Sequence, residues 1–189
     1  MKYDLHILKT KKSLKDIMLK ILAIDPGDIQ SAYVLWNNDK IEDKGILSND
    51  KIRKKLYNIK NDTDIIFAIE MIASYGMPVG KSIFETCVWI GRFIEIWGRQ
   101  VELVYRQSAK MNLCHFTKAK DSNVRQALID RFPPTGEGKC SQIGTKKKPG
   151  PLYGVTEDIW SALAVAMYVN DTKLQRRNGY GKGERKDQG

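Results

Sequence analysis

The sequence predicts an α/β fold: one mixed five-stranded sheet with helices on both faces. Three observations carry that prediction. Two short apolar runs, ILAI at residues 21–24 and IIFAI at residues 65–69, each run straight into an acid and read as buried central strands. Three β-rich segments follow one another through short turns between residues 20 and 48, the pattern of an antiparallel meander. Beyond them, helix-like and strand-like segments alternate, as in parallel βα units whose helices cover a sheet.

Taken in order, the first strand covers residues 20–25 and is stopped by Pro26 and Gly27. The second spans residues 29–36, the cluster Asn37–Asn38–Asp39 turns the chain, and the third spans residues 40–48. Asn49 is placed to cap a helix running to about residue 60. Residues 64–70 form the fourth strand. After an irregular stretch at 71–80, residues 81–98 read as a helix with Ile83, Val88, Ile90, Phe93, Ile94 and Trp97 on a broad apolar surface. Residues 101–105 form the fifth strand, with a short helix expected around 108–114. Asp121 or Ser122 caps a helix through Phe132, which Pro133–Pro134 ends. Residues 135–154 make a Gly/Pro/Lys loop long enough to expect function or mobility of it. Thr156 caps the last helix, residues 157–169, with Glu157 and Asp158 in its first turn.

At 189 residues the chain suits one domain. Residues 1–19 read as a basic appendage, 20–171 as the domain, and 172–189 as a polar, Gly-rich tail expected to be disordered. No apolar run reaches the ~20 residues that span a bilayer, and the basic N-terminus lacks the apolar core of a secretory signal. Cys87, Cys114 and Cys140 stand far apart and odd in number, so neither a zinc site nor a disulfide framework is indicated, and a reducing cytoplasm is expected. The net charge of +10 sits mainly at the ends: residues 1–20 and 172–189 carry +4 each, and residues 135–150 carry +3 through Lys139, Lys146, Lys147 and Lys148 against Glu137. Charged tails also serve solubility, but basic ends with a basic loop at a pI near 9.4 favour a nucleic-acid partner, bound by counterion release.

The acids give the chemistry. Asp25 and Glu70 end apolar strands, and Asp158 opens a helix whose small residues Ser161, Ala162, Ala164 and Ala166 allow close packing on a sheet. Each has a plainer explanation alone, since Asp favours turns and a first-turn acid favours a helix. Together, three rigidly held carboxylates suit Mg²⁺, a hard cation needing few protein ligands, and two such ions can drive phosphodiester hydrolysis. GMPVGKS at residues 76–82 imitates a phosphate loop, but only three residues separate its first Gly from the GK pair and no strand directly precedes it, so no nucleotide cofactor is expected.

ILAIDPG with Asp25, FAIE with Glu70 and DIWSALAVA with Asp158 resemble the RuvC-like Holliday junction resolvases of the RNase H-like superfamily, most of all the compact resolvases of bacteriophages and prophages. The resemblance in element order covers residues 19–171. It implies an RNase H-like sheet, Mg²⁺ (with Mn²⁺ as substitute) as two ions on Asp25, Glu70 and Asp158, a homodimer, and four-way junction DNA as substrate in a bacterial host. By position it also implies that Arg106 and Lys120 stand near the scissile phosphate. One position departs: Ser161 stands where the family has a second acid three residues into the helix, leaving water or Ser161 to complete the shell. Glu157 is a nearby substitute but points ~100° away on a helix. Tyr75 and Met77 are candidates to wedge into or stack on a branch point. Lys81, Lys118, Lys120, Lys146, Lys147 and Lys148 are candidates for DNA phosphates. Two other readings stay open: an RNase H-type nuclease acting on flap DNA or RNA–DNA hybrid, and a branched-DNA binding protein without catalysis.

Overall fold

The computed structural model describes residues 20–74, 76 and 78–177. The chain order is β1 (Lys20–Asp25), β2 (Gln30–Asn37), β3 (Lys40–Ser48), α1 (Asn49–Ile59), β4 (Ile65–Met71), α2 (Lys81–Trp97), β5 (Val101–Tyr105), α3 (Arg106–Cys114), α4 (Asp121–Ile129) and α5 (Ile159–Arg177). The strands form one sheet in the order β3-β2-β1-β4-β5. β1, β2 and β3 pair antiparallel, whereas β1–β4 and β4–β5 pair parallel, which is the mixed sheet expected. The appendage and the end of the tail (residues 1–19 and 178–189), with Tyr75 and Met77, lie outside the described residues.

Side chains alternate across a strand, so each central strand feeds two cores. Ile21 and Ala23 of β1, Ala32, Val34 and Trp36 of β2, Ala68 of β4 and Val104 of β5 share one core with α3, α4 and α5. Leu22, Ile24, Tyr33, Phe67 and Ile69 share the other with α1 and α2. Burial on both faces is why β1 and β4 read as continuous apolar runs. In α5, Ala162, Leu163, Val165 and Ala166 are each at most 1% exposed, and the small side chains let this helix lie close across the sheet.

Several sequence expectations are corrected. Thr156 does not cap the last helix. Its carbonyl accepts the Ile159 N–H at 2.9 Å, and Glu157 takes a left-handed φ of 44° that a helix cannot contain, so α5 starts at Ile159 and Asp158 immediately precedes it. The helix also runs to Arg177, past Asp171. Lys173 pairs with Glu102 of β5 at 2.5 Å, an anchor that composition does not reveal. α4 starts after Lys120 rather than at an Asp121 or Ser122 cap, and ends at Ile129. Val88 of α2 points outward, 53% exposed. Arg106 is already helical, since α3 begins directly after β5.

Asn49 does not cap α1 either; Ser48 precedes the helix and Asn49 turns inward, 1% exposed. Its Nδ2 donates to the Gly27 carbonyl at 2.9 Å, and its Oδ1 accepts the Ser31 hydroxyl at 2.6 Å. The Gly27 N–H donates to the same Ser31 oxygen at 3.3 Å. A Cβ on Gly27 would lie 2.4 Å from the Gln30 carbonyl oxygen, so the turn after Asp25 is tight as well as pinned. Asn49→Ala leaves buried partners unsatisfied and lowers stability by about 1–3 kcal/mol. A urea unfolding midpoint equal to the parent's contradicts that role.

The long Gly/Pro/Lys segment is ordered by its own backbone. Gly136 N–H donates to Ser141 O at 2.8 Å, Gly150 N–H to Ile143 O at 2.9 Å and Leu152 N–H to Gln142 O at 2.8 Å, and Gly144 bridges Pro149. Leu152 is fully buried, tying the loop to the α5-side core. Three glycines make the crossing: a Cβ at Gly136, Gly144 or Gly150 would meet backbone at 2.7, 2.2 or 2.3 Å. The result presents Lys146 and Lys147 on an exposed turn, with Lys148 held by Glu137 at 3.1 Å.

Candidate active site

Ile24 pairs with Ile69 at the end of the β1–β4 ladder, so the next residues along these parallel strands are Asp25 and Glu70. Both acids fall on the α5 face, because Ala23 and Ala68, two residues before each, do. Neighbouring strands run ~4.8 Å apart, which makes the two carboxylates electrostatic neighbours. α5 crosses above them. The Ser161 hydroxyl hydrogen-bonds to Asp25, and Asp158, exposed just before the helix, acts on Asp25 by its charge.

These surroundings shift both acids. Burial first, then repulsion from Glu70 and more weakly from Asp158, raises the Asp25 carboxyl from 3.8 to about 8, against the opposing pull of Arg106 and the Ser161 hydrogen bond. Burial also raises Glu70, against the pull of the Arg106 guanidinium, with Asp121 raising and Lys110 lowering it. Two acids that cannot share this space comfortably as anions are a donor set that a divalent cation would relieve. Their oxygens are the hard ligands Mg²⁺ prefers. Among the described residues, however, no three His, Cys, Asp or Glu side chains stand close enough together to hold a metal ion. Glu70 faces Arg106 instead, at 3.8 Å.

Arg106 also approaches Asp121 at 3.6 Å, and Lys110 reaches Asp121 at 3.2 Å. A pocket beside Glu70 is lined by Arg106, Lys110, Asp121 and Arg125 over an apolar floor that includes Val104 and Trp160. Arg125 lies over the Trp160 ring, 4.9 Å from its centroid. Motif reasoning does not reach Lys110, Asp121 and Arg125 as site residues. A signal for them exists nonetheless: Arg106 and Lys110 on α3, and Asp121 and Arg125 on α4, are both charged pairs at i,i+4 and so share helix faces.

The other expected residues lie elsewhere. Lys120 is exposed at the start of α4, where its N–H donates to Asn123 Oδ1 at 3.0 Å, and it does not line the pocket. Lys118 is exposed before it. Lys81 opens α2, exposed and 3.5 Å from Glu85, with Gly80 preceding the helix. Lys146, Lys147 and Lys148 stand on the compact loop, outside the pocket lining. Glu157 is exposed and left-handed, while Ser161 makes the contact to Asp25.

A meander of three strands, two parallel strands beyond it and a helix crossing the central pair define a RuvC-like α/β fold. No protein-family model matches the sequence, and no curated protein matches it. Among solved structures, the chain is similar to the Thermus thermophilus RuvC structure with a TM-score of 0.55 and 13% identity, over 85% of this chain and 96% of that one. A T. thermophilus RuvC in complex with Holliday junction substrate matches with the same TM-score, identity and coverage. At that identity the likeness is one of fold.

Proposed function

We propose that this chain is a divalent-metal-dependent endonuclease that cuts four-way DNA junctions, with residues 20–171 as its nuclease domain. One observation carries the reading: Asp25 and Glu70 are brought side by side on adjacent central strands, beneath the start of α5 with Ser161 and Asp158. Asp25, Glu70 and Asp158 would hold Mg²⁺ or Mn²⁺, which supplies a polarised phosphodiester and an acidified water. The chain's own groups do the remainder. Ser161 orients the Asp25 carboxylate. Arg106, beside Glu70, offers a fork of donors to the charge that develops on the phosphate. Lys120, Lys118 and Lys81 serve the DNA backbone more distantly, and Tyr75 and Met77 the branch point. A symmetric junction needs two cuts, so a homodimer is part of this reading. Phe84 and Val88 of α2, with Leu103 and Tyr105 of β5, are apolar side chains 43–61% exposed on the α1/α2 side and suit a second copy. The compartment of action is a reducing cytoplasm.

The test is a labelled four-way junction, a flap and an RNA–DNA hybrid, each incubated with protein and Mg²⁺ and mapped at nucleotide resolution. Paired nicks at symmetric junction positions are expected, with none in chelator. Preferred cutting of flap or hybrid moves the substrate class, and no cutting with Mg²⁺ or Mn²⁺ leaves a binding protein.

The loop lysines give a separate expectation. Replacing Lys146 and Lys147 with Gln flattens the dependence of log affinity on log salt by about 0.9 for each phosphate that a lysine no longer neutralises. A slope equal to the parent's removes this loop from the DNA interface.

A further inference from the structure

Helix α1 is unusually cationic. Lys51, Arg53, Lys54, Lys55 and Lys60 stand against a single acid, Asp50, within residues 49–60. Like charges three and four residues apart on a helix repel, so such a run is unfavourable unless its charges are paired or neutralised from outside. The fold pairs only some of them. Lys55 is taken up structurally: its Nζ meets Asp43 of β3 at 2.5 Å and lies over the Tyr33 ring, 4.4 Å from the centroid. Arg53 reaches Asp50 at 3.2 Å, with both side chains well exposed. Lys60 lies over the exposed Tyr57 ring, 4.6 Å from its centroid. Lys51 and Lys54 are exposed, and neither is within reach of a carboxylate among the described residues.

Ile52 and Leu56 fix the orientation, since both are buried in the core that α1 and α2 share with the sheet. The outward side chains then form two rows along the helix: Lys51, Lys54 and Asn58 at i, i+3 and i+7, and Arg53, Tyr57 and Lys60 at i, i+4 and i+7. With Asp50 and with Ile96 of α2, Arg53, Lys54, Tyr57 and Asn58 line an open groove of about 490 Å³. Ile96 stands in the last turn of α2 and Phe84 in its first, so the groove is distinct from the apolar face offered to a second copy.

We infer that this face of α1 is a second DNA-binding surface, on the side of the sheet opposite Asp25 and Glu70, that grips the phosphates of a duplex. The donor chemistry selects that partner. Lysine, arginine, tyrosine and asparagine side chains hydrogen-bond phosphate oxygens and fix a protein on a duplex without reading its sequence. Donors repeated at each turn of an exposed helix suit a long row of phosphates, whereas a small anion is held in a closed, concave pocket. A duplex held on α1 leaves the α5 side free, so an arm of the substrate or a neighbouring duplex is engaged without occupying the candidate active site. The inference shares DNA with the reading above and uses none of its metal chemistry.

The test is the fluorescence anisotropy of a short, labelled, unbranched duplex titrated with the full chain in chelator at several salt concentrations. Replacing Lys51 and Lys54 together with Gln is expected to flatten the dependence of log affinity on log salt by about 0.9 for each phosphate released, about 1.8 in all. The urea midpoint stays at the parent's value, because both side chains are exposed. Lys40→Gln, at an exposed position beside the β2–β3 turn, is the control and leaves the slope unchanged. No duplex binding by the parent, or a double-variant slope equal to the parent's, overturns the assignment. Equal flattening per charge by Lys40→Gln also overturns it, since the attraction is then diffuse. A changed association state on sedimentation with an unchanged slope gives the face to a second copy instead. Each of these failures leaves the nuclease reading standing, because junction cutting with Mg²⁺ tests that separately.

Discussion

Asp25→Asn abolishes junction cutting and, in the absence of metal, raises the melting temperature at neutral pH. Loss of a carboxylate from a metal centre removes several kcal/mol of transition-state stabilisation, a rate loss on the order of a thousand-fold. The opposite effect on stability follows from the environment of the side chain. Burial and the charges of Glu70 and Asp158 hold Asp25 at about 8 in the folded chain, against 3.8 ordinarily. The unfolded chain therefore releases this proton near pH 4, while the folded chain keeps it until about pH 8. The associated stability is complete below 3.8 and is lost as pH rises through about 8. Glu70, shifted in the same direction, adds to the trend. In chelator, the parent's melting temperature falls between pH 5 and 8 more steeply than that of Asp25→Asn, and the variant melts higher at pH 7.5. Mg²⁺ restores the parent by binding the folded form and leaves the variant little changed. Parallel pH profiles for the two proteins contradict the buried, repelled state of Asp25; a variant that still cuts removes Asp25 from the chemistry.

Gly144→Ala is the second large effect. Gly144 has φ +76°, and a Cβ there would stand 2.2 Å from Gly150 N and 2.5 Å from Lys148 O. No rotamer relieves a clash with backbone, so the crossing opens and the Gly150–Ile143 hydrogen bond is lost with it. The expected cost is about 2–4 kcal/mol, and in a chain of this size each kcal/mol lowers the melting temperature by about 2–4 °C. Junction affinity falls as well, although every lysine is retained, because Lys146 and Lys147 lose their common platform. Gly80→Ala is the matched control: nothing lies within 4 Å of its would-be Cβ, and its stability stays within about 0.5 kcal/mol. Equal melting of the two variants contradicts the packed loop.

Much of the sheet was legible because its signals are local. β1, β3 and β5 run over the residues expected, and β2 and β4 are displaced by one. An apolar run closed by Pro26–Gly27, or a turn cluster such as Asn37–Asp39, marks a strand without reference to the rest of the chain. The helix ends were less legible. Thr156, Asn49, Asp121 and Ser122 are all residues that cap helices, yet none caps as expected. Asn49 is drawn inward to Gly27 and Ser31, and Glu157 breaks the approach to α5. Lys173 likewise finds Glu102 across the structure and carries α5 beyond Asp171.

From residue types alone came the mixed sheet, two strand-ending acids, a third acid near the start of the last helix and the basic ends, because periodicity and charge are written one residue at a time. Tertiary structure decided what those acids face: Ser161 against Asp25, Arg106 between Glu70 and Asp121, and glycines folding a loosely composed segment into a rigid turn. Such partners are set by which helices cross which strands. Their separation in space bears no fixed relation to their separation along the chain.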